Sequence, residues 1–267
     1  MIKLAAPCVM GVLNVTPDSF SDGGVFLHAQ AAIDHACAME EAGAAIIDVG
    51  GESTRPGAEP VTLPEELDRV LPVVEAVRSA VSIPISVDTS KPAVMQAACN
   101  AGAQLINDVR ALTEPGALEV AAALDASICL MHMQGTPTTM QNNPVYNDVI
   151  EDVRDFLAAR VKAAEAAGIE RGRLIIDPGF GFGKTDEHNA KLLANLSALA
   201  DLSLPILAGL SRKSLVGRVL GRPIEARLAG SVAAATLAVW NGASIIRAHD
   251  VAETFDSVRL VQFIRSF

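Results

Sequence analysis

The chain has 267 residues, of which half are hydrophobic and only 4% are aromatic, and its net charge at pH 7 is -10. This acidic balance excludes nucleic acids and anionic membrane surfaces as general partners. No run reaches the ~18 uncharged apolar residues that a membrane helix needs. The four cysteines are far apart and form no CxxC pair, which indicates reduced thiols and a cytoplasmic location.

Eight short apolar runs divide the chain, and each ends in a polar or glycine-rich cluster. In chain order they are CVMGVLNV from Cys8, AAIIDVG from Ala44, IPISVD from Ile83, AQLINDV from Ala103, ASICLMH from Ala126, RLIIDP from Arg173, LPILAGL from Leu204 and ASIIRAH from Ala243. Runs of Val, Ile, Leu and Ala suit strands that are buried on both faces. Each run is therefore predicted to form a parallel strand.

An amphipathic segment follows each of these runs and is predicted to form a helix. These segments are Ala29–Ala42, Glu65–Ala80, Lys91–Ala101, Gly116–Leu124, Asp148–Gly168, Asp186–Ala200, Pro223–Trp240 and Val251–Phe263. Glycines 43, 102 and 168 lie where the first, third and fifth helices should end.

Strand and helix alternate eight times, which allows either a closed barrel or a doubly wound open sheet. The count of eight, and a length close to the ~250 residues of a typical (β/α)8 barrel, favour the barrel. No low-complexity linker interrupts the chain, so residues 1–267 are predicted to form one α/β domain, a (β/α)8 TIM barrel.

In such a barrel the active site lies at the C-terminal ends of the strands. Three acceptor groups are predicted there, namely Asp88, Asn107 and Asp177. A buried carboxylate is costly unless it is paired, so a matching donor is required. A flat heterocycle with an amidine-like N–H edge would suit these side chains, because each carboxylate accepts two N–H bonds in one plane.

The opposite set consists of donors from several strand-end loops, Arg55, Lys213, Arg247 and His249. Together they could converge on an anion. Lys213 lies in the segment SRKS at a predicted helix start, where free backbone N–H groups add to the positive field.

Two polar residues near the strand ends remain ambiguous. Asp48 could cap a loop or belong to the site, and His132 could be a satisfied core histidine or a ligand. The segment GFGFGKT is not a phosphate-binding P-loop, since that motif requires glycine where Pro178 stands. Its glycines are better explained by a tight backbone turn beside a ligand.

The ordered motifs resemble those of the dihydropteroate synthase family. MGVLNVTPDSFSDGG and IDVGGESTRPG match its two signature segments, and SVDTSKP, INDVR, LMHMQG, DPGFGFGK, GLSRKS and RAHD follow in the same order. The resemblance extends from Met10 to Val261. It implies a pterin-binding TIM barrel that condenses 6-hydroxymethyl-7,8-dihydropterin diphosphate with 4-aminobenzoate, giving 7,8-dihydropteroate and diphosphate for folate synthesis.

The resemblance also implies a role for each matching residue. Those expected to be catalytic are Asp88, Lys213, Arg55 and Asp177. The pterin would contact Asp88, Asn107, Asp177, Lys213, Met131, Val109 and Phe182. The diphosphate would contact Asn14, Thr54, Arg55, Arg247 and His249, with Mg²⁺ held by Asn14 and Asp22. The 4-aminobenzoate pocket would comprise Phe20, Pro56, Phe182, Ser211 and Lys213.

Two other functions and one assembly remain to be weighed. A non-catalytic pterin-binding paralogue would be expected to carry substitutions at Lys213 or in the loops, and none is found. A pterin-dependent methyltransferase would have no diphosphate to hold, which the cations of STRPG, SRK and RAHD count against. The family is usually homodimeric, and the alanine-rich segment Leu228–Trp240 is a candidate contact surface.

Overall fold

Eight parallel strands close into a barrel in the computed structural model, which describes residues 7–15, 25–55 and 57–267. The strands are β1 (Cys8–Asn14), β2 (Ile46–Gly50), β3 (Ile85–Asp88), β4 (Leu105–Asp108), β5 (Ser127–Met131), β6 (Leu174–Asp177), β7 (Leu207–Gly209) and β8 (Ile245–Ala248). Their order is β6-β5-β4-β3-β2-β1-β8-β7, and a parallel bridge between Ile176 and Ile206 joins the two ends. The predicted TIM barrel is confirmed, and the open-sheet alternative is wrong.

Helices follow the strands around the outside of the barrel. They are α1 (Val25–Glu41), α2 (Leu63–Ala80), α3 (Pro92–Asn100), α4 (Ala117–Ala123), α5 (Val149–Ala166), α6 (Asp186–Ala194), α7 (Ser214–Leu220), α8 (Leu228–Trp240) and α9 (Val251–Ile264). Within the described ranges, none of them combines the length and the apolar character required to cross a bilayer.

Three helical segments differ from the sequence-based expectation. The segment predicted as one helix from Pro223 to Trp240 is a 3₁₀ helix at Ile224–Ala226 followed by α8. The segment predicted as one helix from Asp186 to Ala200 is α6 followed by a 3₁₀ helix at Leu196–Leu202. The amphipathic pattern did not delimit α7, although a helix start was predicted at SRKS, because seven residues interrupted by Gly217 are too few to show a helical period.

Alternation along the strands separates the core into two layers. Inward-facing residues such as Met10, Leu105 and Ile245 form a small cluster inside the barrel. Their neighbours, such as Val9, Ile106 and Ile246, belong to the large cluster between the strands and the helices. Burial on both faces explains why the strands appear in the sequence as continuous apolar runs.

Local signals set several helix ends. Asp148 caps α5, since its Oδ1 accepts hydrogen bonds from the backbone N–H groups of Ile150 at 2.8 Å and Glu151 at 3.2 Å. After α3 the chain turns through Gly102 at φ 114°, and a Cβ there would lie 2.9 Å from Cγ of Arg78. Such a conformation is accessible to glycine at little cost, so the predicted helix stop at this position is confirmed.

Candidate active site

An arginine at the end of β8 joins the acidic ends of two other strands. Arg247 donates from Nε to Oδ2 of Asp48 at 2.6 Å and from Nη2 to Oδ2 of Asp88 at 2.8 Å. Asn107 donates from Nδ2 to the same Asp48 oxygen at 3.1 Å. The parallel register also places Asp88 beside Asn107 on neighbouring strands. Acceptors and donors that were predicted separately thus form one network at the barrel mouth.

Burial controls the charges in this network. It raises the pKa of Asp88 to about 7, although the neighbouring Arg247 guanidinium opposes the shift. Burial also disfavours the charge on Arg247, but attraction to Asp48 and Asp88 outweighs it and raises the pKa of the guanidinium. The arginine therefore remains charged, while Asp88 can change its protonation state near neutral pH.

A second group forms where β6 and β7 end. Asp177 is buried, and its Oδ1 accepts a hydrogen bond from the backbone N–H of Gly179 at 2.7 Å. Lys213 occupies the N-cap position of α7, and its Nζ lies 4.1 Å from the ring centroid of Phe182 while donating to the carbonyl of Phe180. A flat ligand in this region would meet a carboxylate, a cation and an aromatic face.

Desolvation shifts the pKa values of both charged groups in this second cluster. Burial raises the pKa of Asp177, against the effect of the Gly179 N–H group and of Lys213. Burial lowers the pKa of Lys213 to about 8, although the charge of Asp177 acts in the opposite direction. Because each group is incompletely compensated, a ligand that bonds to both would stabilise their charged forms.

The glycine-rich loop after β6 is shaped by close backbone contacts. Gly179 has φ 67°, and a Cβ at this position would lie 1.9 Å from the carbonyl oxygen of His132. Gly183 has φ 60°, and its Cβ would lie 2.5 Å from the carbonyl oxygen of Gln134. The glycines therefore permit a tight turn against the loop after β5, as the sequence predicted.

Lys184 holds this loop from within the core. The side chain is fully buried, and Nζ contacts Nδ1 of His132 at 2.9 Å and donates to the carbonyls of Gly179 at 2.9 Å and Phe182 at 3.0 Å. Burial lowers the pKa of Lys184 well below its usual value, and burial together with the charge of Lys184 lowers that of His132 to about 3. His132 is thus a satisfied core histidine, and the P-loop interpretation of GFGFGKT is excluded.

Replacing Lys184 with methionine is expected to lower the free energy of unfolding by about 2–4 kcal/mol, because three carbonyls and an imidazole nitrogen lose their hydrogen-bond partner. Urea unfolding measures the loss. Lys191→Met is the control, since that lysine is 57% exposed in its pair with Glu187 and should change stability by under about 0.5 kcal/mol. Equal stability of Lys184→Met and the wild type would contradict the role of this buried amine.

Two further predicted diphosphate residues, Asn14 and His249, stand at or just after the ends of β1 and β8. Asn14 ends β1, whose register neighbours are β2 and β8. Ser211 accepts the backbone N–H of His249 at 3.2 Å and contacts its Nδ1 at 3.0 Å. The pKa of His249 is lowered to about 4, mainly by burial and secondly by the charge of Arg247. The exposed Arg55 makes a smaller contribution in the same direction.

A cavity opens between the loops that follow β2, β3 and β4. Its lining includes Thr54, Asp88 and Val109. Lys91, also in the lining, bonds to Glu52 and to the buried Glu66 and so fixes the start of the STRPG loop against α2. No sequence pattern predicted this ion cluster, because its three members stand on separate segments of the chain.

The remaining expected site residues are either beside the second cluster or outside the described residues. Met131 is buried and pairs in register with Asp177, so it lies beside the second cluster. Phe20, Asp22 and Pro56 lie outside the described residues. Asp48, for which the sequence allowed either a loop cap or a site role, belongs to the network, and a lone acid inside the apolar run AAIIDVG is the signal for that role.

Comparison with known proteins agrees with this geometry. The family model of pterin-binding enzymes matches residues 10–249. The dihydropteroate synthase of Escherichia coli (strain K12) is 52% identical over 261 residues, which cover 98% of this chain and 93% of that protein.

Solved structures give the same result. The crystal structure of Yersinia pestis dihydropteroate synthase with a sulfonamide drug superposes with a TM-score of 0.94 at 53% identity, covering 100% of this chain and 97% of that one. Xanthomonas albilineans dihydropteroate synthase with 4-aminobenzoic acid gives a TM-score of 0.92 at 51% identity, covering 98% and 94%. The chain belongs to the dihydropteroate synthases within the family of pterin-binding enzymes.

Proposed function

We propose that this chain condenses 6-hydroxymethyl-7,8-dihydropterin diphosphate with 4-aminobenzoate, giving 7,8-dihydropteroate and diphosphate in folate biosynthesis. The observation that carries the proposal is the network at the barrel mouth, in which Arg247 bridges Asp48 and Asp88 beside Asn107. It provides acceptors for a guanidine-like edge next to cations for a leaving anion. The likeness to a structure that holds 4-aminobenzoic acid supports the choice of the second substrate.

The pterin ring would bind between the two clusters. Asp88, Asn107 and Asp177 would accept its ring and amino N–H groups, because carboxylate and amide oxygens at fixed positions select a planar donor edge. Lys213 would donate to a ring acceptor. The apolar surfaces around the ring would be supplied by Met131, Val109 and Phe182.

The diphosphate would bind where β1, β2 and β8 end. Thr54 and Arg55 would reach it from the loop after β2, and Arg247 and His249 from the end of β8. The pKa of His249 is lowered to about 4, so the neutral imidazole would act as a hydrogen-bond donor. An anion between these side chains would offset their mutual repulsion.

The donor set fits Mg²⁺. Asn14 offers an amide oxygen at the end of β1, beside the strands that carry the diphosphate residues, and Asp22 is proposed as a second ligand. Among the described residues, no group of three or more His, Cys, Asp or Glu side chains could hold a metal ion. Few protein ligands suit an ion that takes most of its oxygens from a diphosphate and from water.

The 4-aminobenzoate would bind at the outer edge of the site. We assign its pocket to Phe20, Pro56, Phe182, Ser211 and Lys213. Lys213 already lies over the Phe182 ring, and Ser211 is half-buried at the end of β7. An aromatic acid in this position would place its amine toward the pterin and its carboxylate toward solvent.

The reaction would proceed by loss of diphosphate before attack. As the C–O bond breaks, positive charge spreads over the dihydropterin, and the anionic Asp88 and Asp177 stabilise it. Arg55 and Lys213 assist on the diphosphate and aminobenzoate sides. Bound Mg²⁺ would neutralise charge on the leaving group. The neutral arylamine then bonds to the CH2 carbon and releases a proton, so no side-chain nucleophile is required.

A product assay tests the proposal. The protein is incubated with both substrates and Mg²⁺, and 7,8-dihydropteroate is followed by chromatography. Turnover is expected. Binding of the pterin diphosphate without turnover would support the non-catalytic paralogue, and methyl transfer from a methylated folate to a corrinoid would support the methyltransferase.

Removal of the metal is expected to abolish turnover without unfolding the protein. With EDTA present, product formation should fall to background and return on addition of Mg²⁺. Binding of the free pterin, measured by calorimetry, should change little because its contacts are to side chains. Asn14→Ala should raise the Mg²⁺ concentration that gives half-maximal turnover. Undiminished turnover in EDTA would contradict the metal assignment.

Exposed apolar side chains support a homodimer, and the state of the cysteines supports a cytoplasmic location. Apolar side chains remain exposed on α8 and α9, among them Leu237 at 52%, Trp240 at 54% and Phe263 at 64%. We assign this surface to a homodimer centred on Leu228–Trp240, formed by chains that each act as a single domain of residues 1–267. All four cysteines are described and free, which fits the reducing cytoplasm.

A further inference from the structure

Asp48 lies at the centre of the site network, and its hydrogen-bond partners among the described residues stand on strands β4 and β8. The residue is completely buried in β2, between Val12 of β1 and Ser86 of β3 in the sheet register. The donors to its Oδ2, Asn107 and Arg247, are 59 and 199 residues away in sequence. Within the described residues no backbone N–H group donates to Asp48, so a loop-capping role does not account for it.

The contact with Asn107 fixes the orientation of an amide. An asparagine side chain has one donating and one accepting end, and either can face a ligand unless a neighbour decides. Oδ2 of Asp48 accepts from Nδ2 of Asn107 at 3.1 Å, so the donating end of the amide is turned toward Asp48. The carbonyl Oδ1 of Asn107 is therefore the end that remains for a ligand N–H group.

Arg247 makes two hydrogen bonds that a bound ligand would affect differently, one to Asp48 and one to Asp88. Nε, which donates to Asp48, lies at the base of the guanidinium, whereas Nη2, which donates to Asp88, lies at its tip. A ligand with two N–H groups in one plane would occupy both oxygens of Asp88, including the Oδ2 that Nη2 binds, and would displace Arg247 from that contact. The bond from Nε to Asp48 still holds the plane of the guanidinium.

The lack of a partner for the second oxygen of Asp48 indicates that a contribution to stability does not explain why this position is acidic. Oδ1 of Asp48 is buried, and among the described residues it has no hydrogen-bond partner. An unpartnered buried oxygen on an acid is unfavourable for folding. Residues that are retained against such a cost concentrate at functional sites.

We propose that Asp48 is a positioning residue of the pterin site, which sets the amide of Asn107 and retains Arg247 when Asp88 engages the substrate. The proposal rests on the proposed function, since it presumes a pterin at Asp88 and Asn107. It assigns to Asp48 no contact with the reacting atoms.

Steady-state kinetics of Asp48→Asn test the proposal. The variant is expected to raise KM for the pterin diphosphate roughly 10–100-fold, while KM for 4-aminobenzoate changes less than about threefold. Ser86→Ala is the matched control, because Ser86 is the register neighbour of Asp48 and its buried Oγ has no partner among the described residues. Its kinetics should equal those of the wild type. Unchanged pterin KM in Asp48→Asn would overturn the proposal.

A double-mutant cycle separates positioning from general destabilisation. Because Asp48 acts partly through Asn107, Asp48→Asn should weaken pterin binding less in an Asn107→Ala background than in the wild type, and the part that remains is the loss through Arg247. A purely structural role would give the same loss in both backgrounds. Absence of turnover in the wild type would instead refute the proposed function, so the two failures are distinguishable.

A crystal structure of the wild type with bound pterin tests the same idea without any substitution. The Arg247 Nε to Asp48 and Asn107 Nδ2 to Asp48 bonds are expected to persist within about 3.2 Å, while Nη2 leaves Asp88. This readout applies even if Asp48→Asn does not fold. Departure of Arg247 or Asn107 from Asp48 in the complex would overturn the proposal.

Discussion

Replacing Arg247 with alanine is expected to lower both stability and turnover by large amounts. The Arg247 side chain is 22% exposed and pairs with the side chains of Asp48 and Asp88, which are 0% and 8% exposed. Removing one partner of a buried ion pair costs about 3–5 kcal/mol, because the remaining charge is uncompensated. Loss of one preorganised charge contact to the diphosphate should cost roughly a further 2–4 kcal/mol of transition-state stabilisation.

The stability change caused by Arg247→Ala should depend on pH. In the folded wild type the pKa of Asp88 is about 7, raised by burial from its usual 3.8. At pH 5 this carboxyl is largely protonated and neutral in the folded state, so its electrostatic attraction to Arg247 is weak. At pH 8 it is ionised and depends on Arg247. The destabilisation is therefore expected to be greater at pH 8 than at pH 5.

Urea unfolding at the two pH values and kcat/KM for the pterin diphosphate measure these effects. Arg218→Ala is the control, since Arg218 is 56% exposed and its pair with Asp186 should contribute under about 1 kcal/mol. Unfolding of Arg247→Ala at the wild-type urea concentration, together with turnover within a few-fold of wild type, would show that the contacts of Arg247 with Asp48 and Asp88 contribute neither to stability nor to catalysis.

Asp177→Asn is expected to weaken pterin binding while the protein remains folded. The asparagine carbonyl can still accept the Gly179 N–H that Oδ1 now binds at 2.7 Å. The new NH2 group replaces an acceptor oxygen and faces the N–H edge of the pterin, so one hydrogen bond is lost and two donors oppose each other. The expected loss is about 3 kcal/mol, or roughly 100-fold in Kd.

Calorimetric titration with the pterin measures this loss, and Asp108→Asn provides the comparison. Asp108 is also a buried strand-end acid, but it accepts the Ser90 hydroxyl and the backbone N–H groups of Arg110 and Leu112. Asp108→Asn should therefore reduce stability more than pterin affinity. Wild-type pterin affinity in Asp177→Asn would refute the role assigned to that carboxylate.

Sequence patterns predicted the strands and several helix ends correctly, because interactions between residues close in the chain determine these features. The apolar runs located all eight strands because strands buried on both faces require continuous apolar residues. Helix ends were located where a cap or a left-handed glycine is needed, as at Asp148 and Gly102. For the short helix α7 only the start at SRKS was predicted, because seven residues are too few to show a helical period over its length.

The sequence by itself determined the barrel and the strand ends at which Asp88, Asn107, Asp177 and Arg247 stand. Only the tertiary structure decided that Arg247 bridges Asp48 and Asp88, since those bonds join residues 199 and 159 positions apart. The partners meet because closure of the barrel places β8 beside β1 and β1 beside β2 in a fixed register. Periodicity reports which residues are buried, but the pairing of buried charges depends on strands that are distant in the chain.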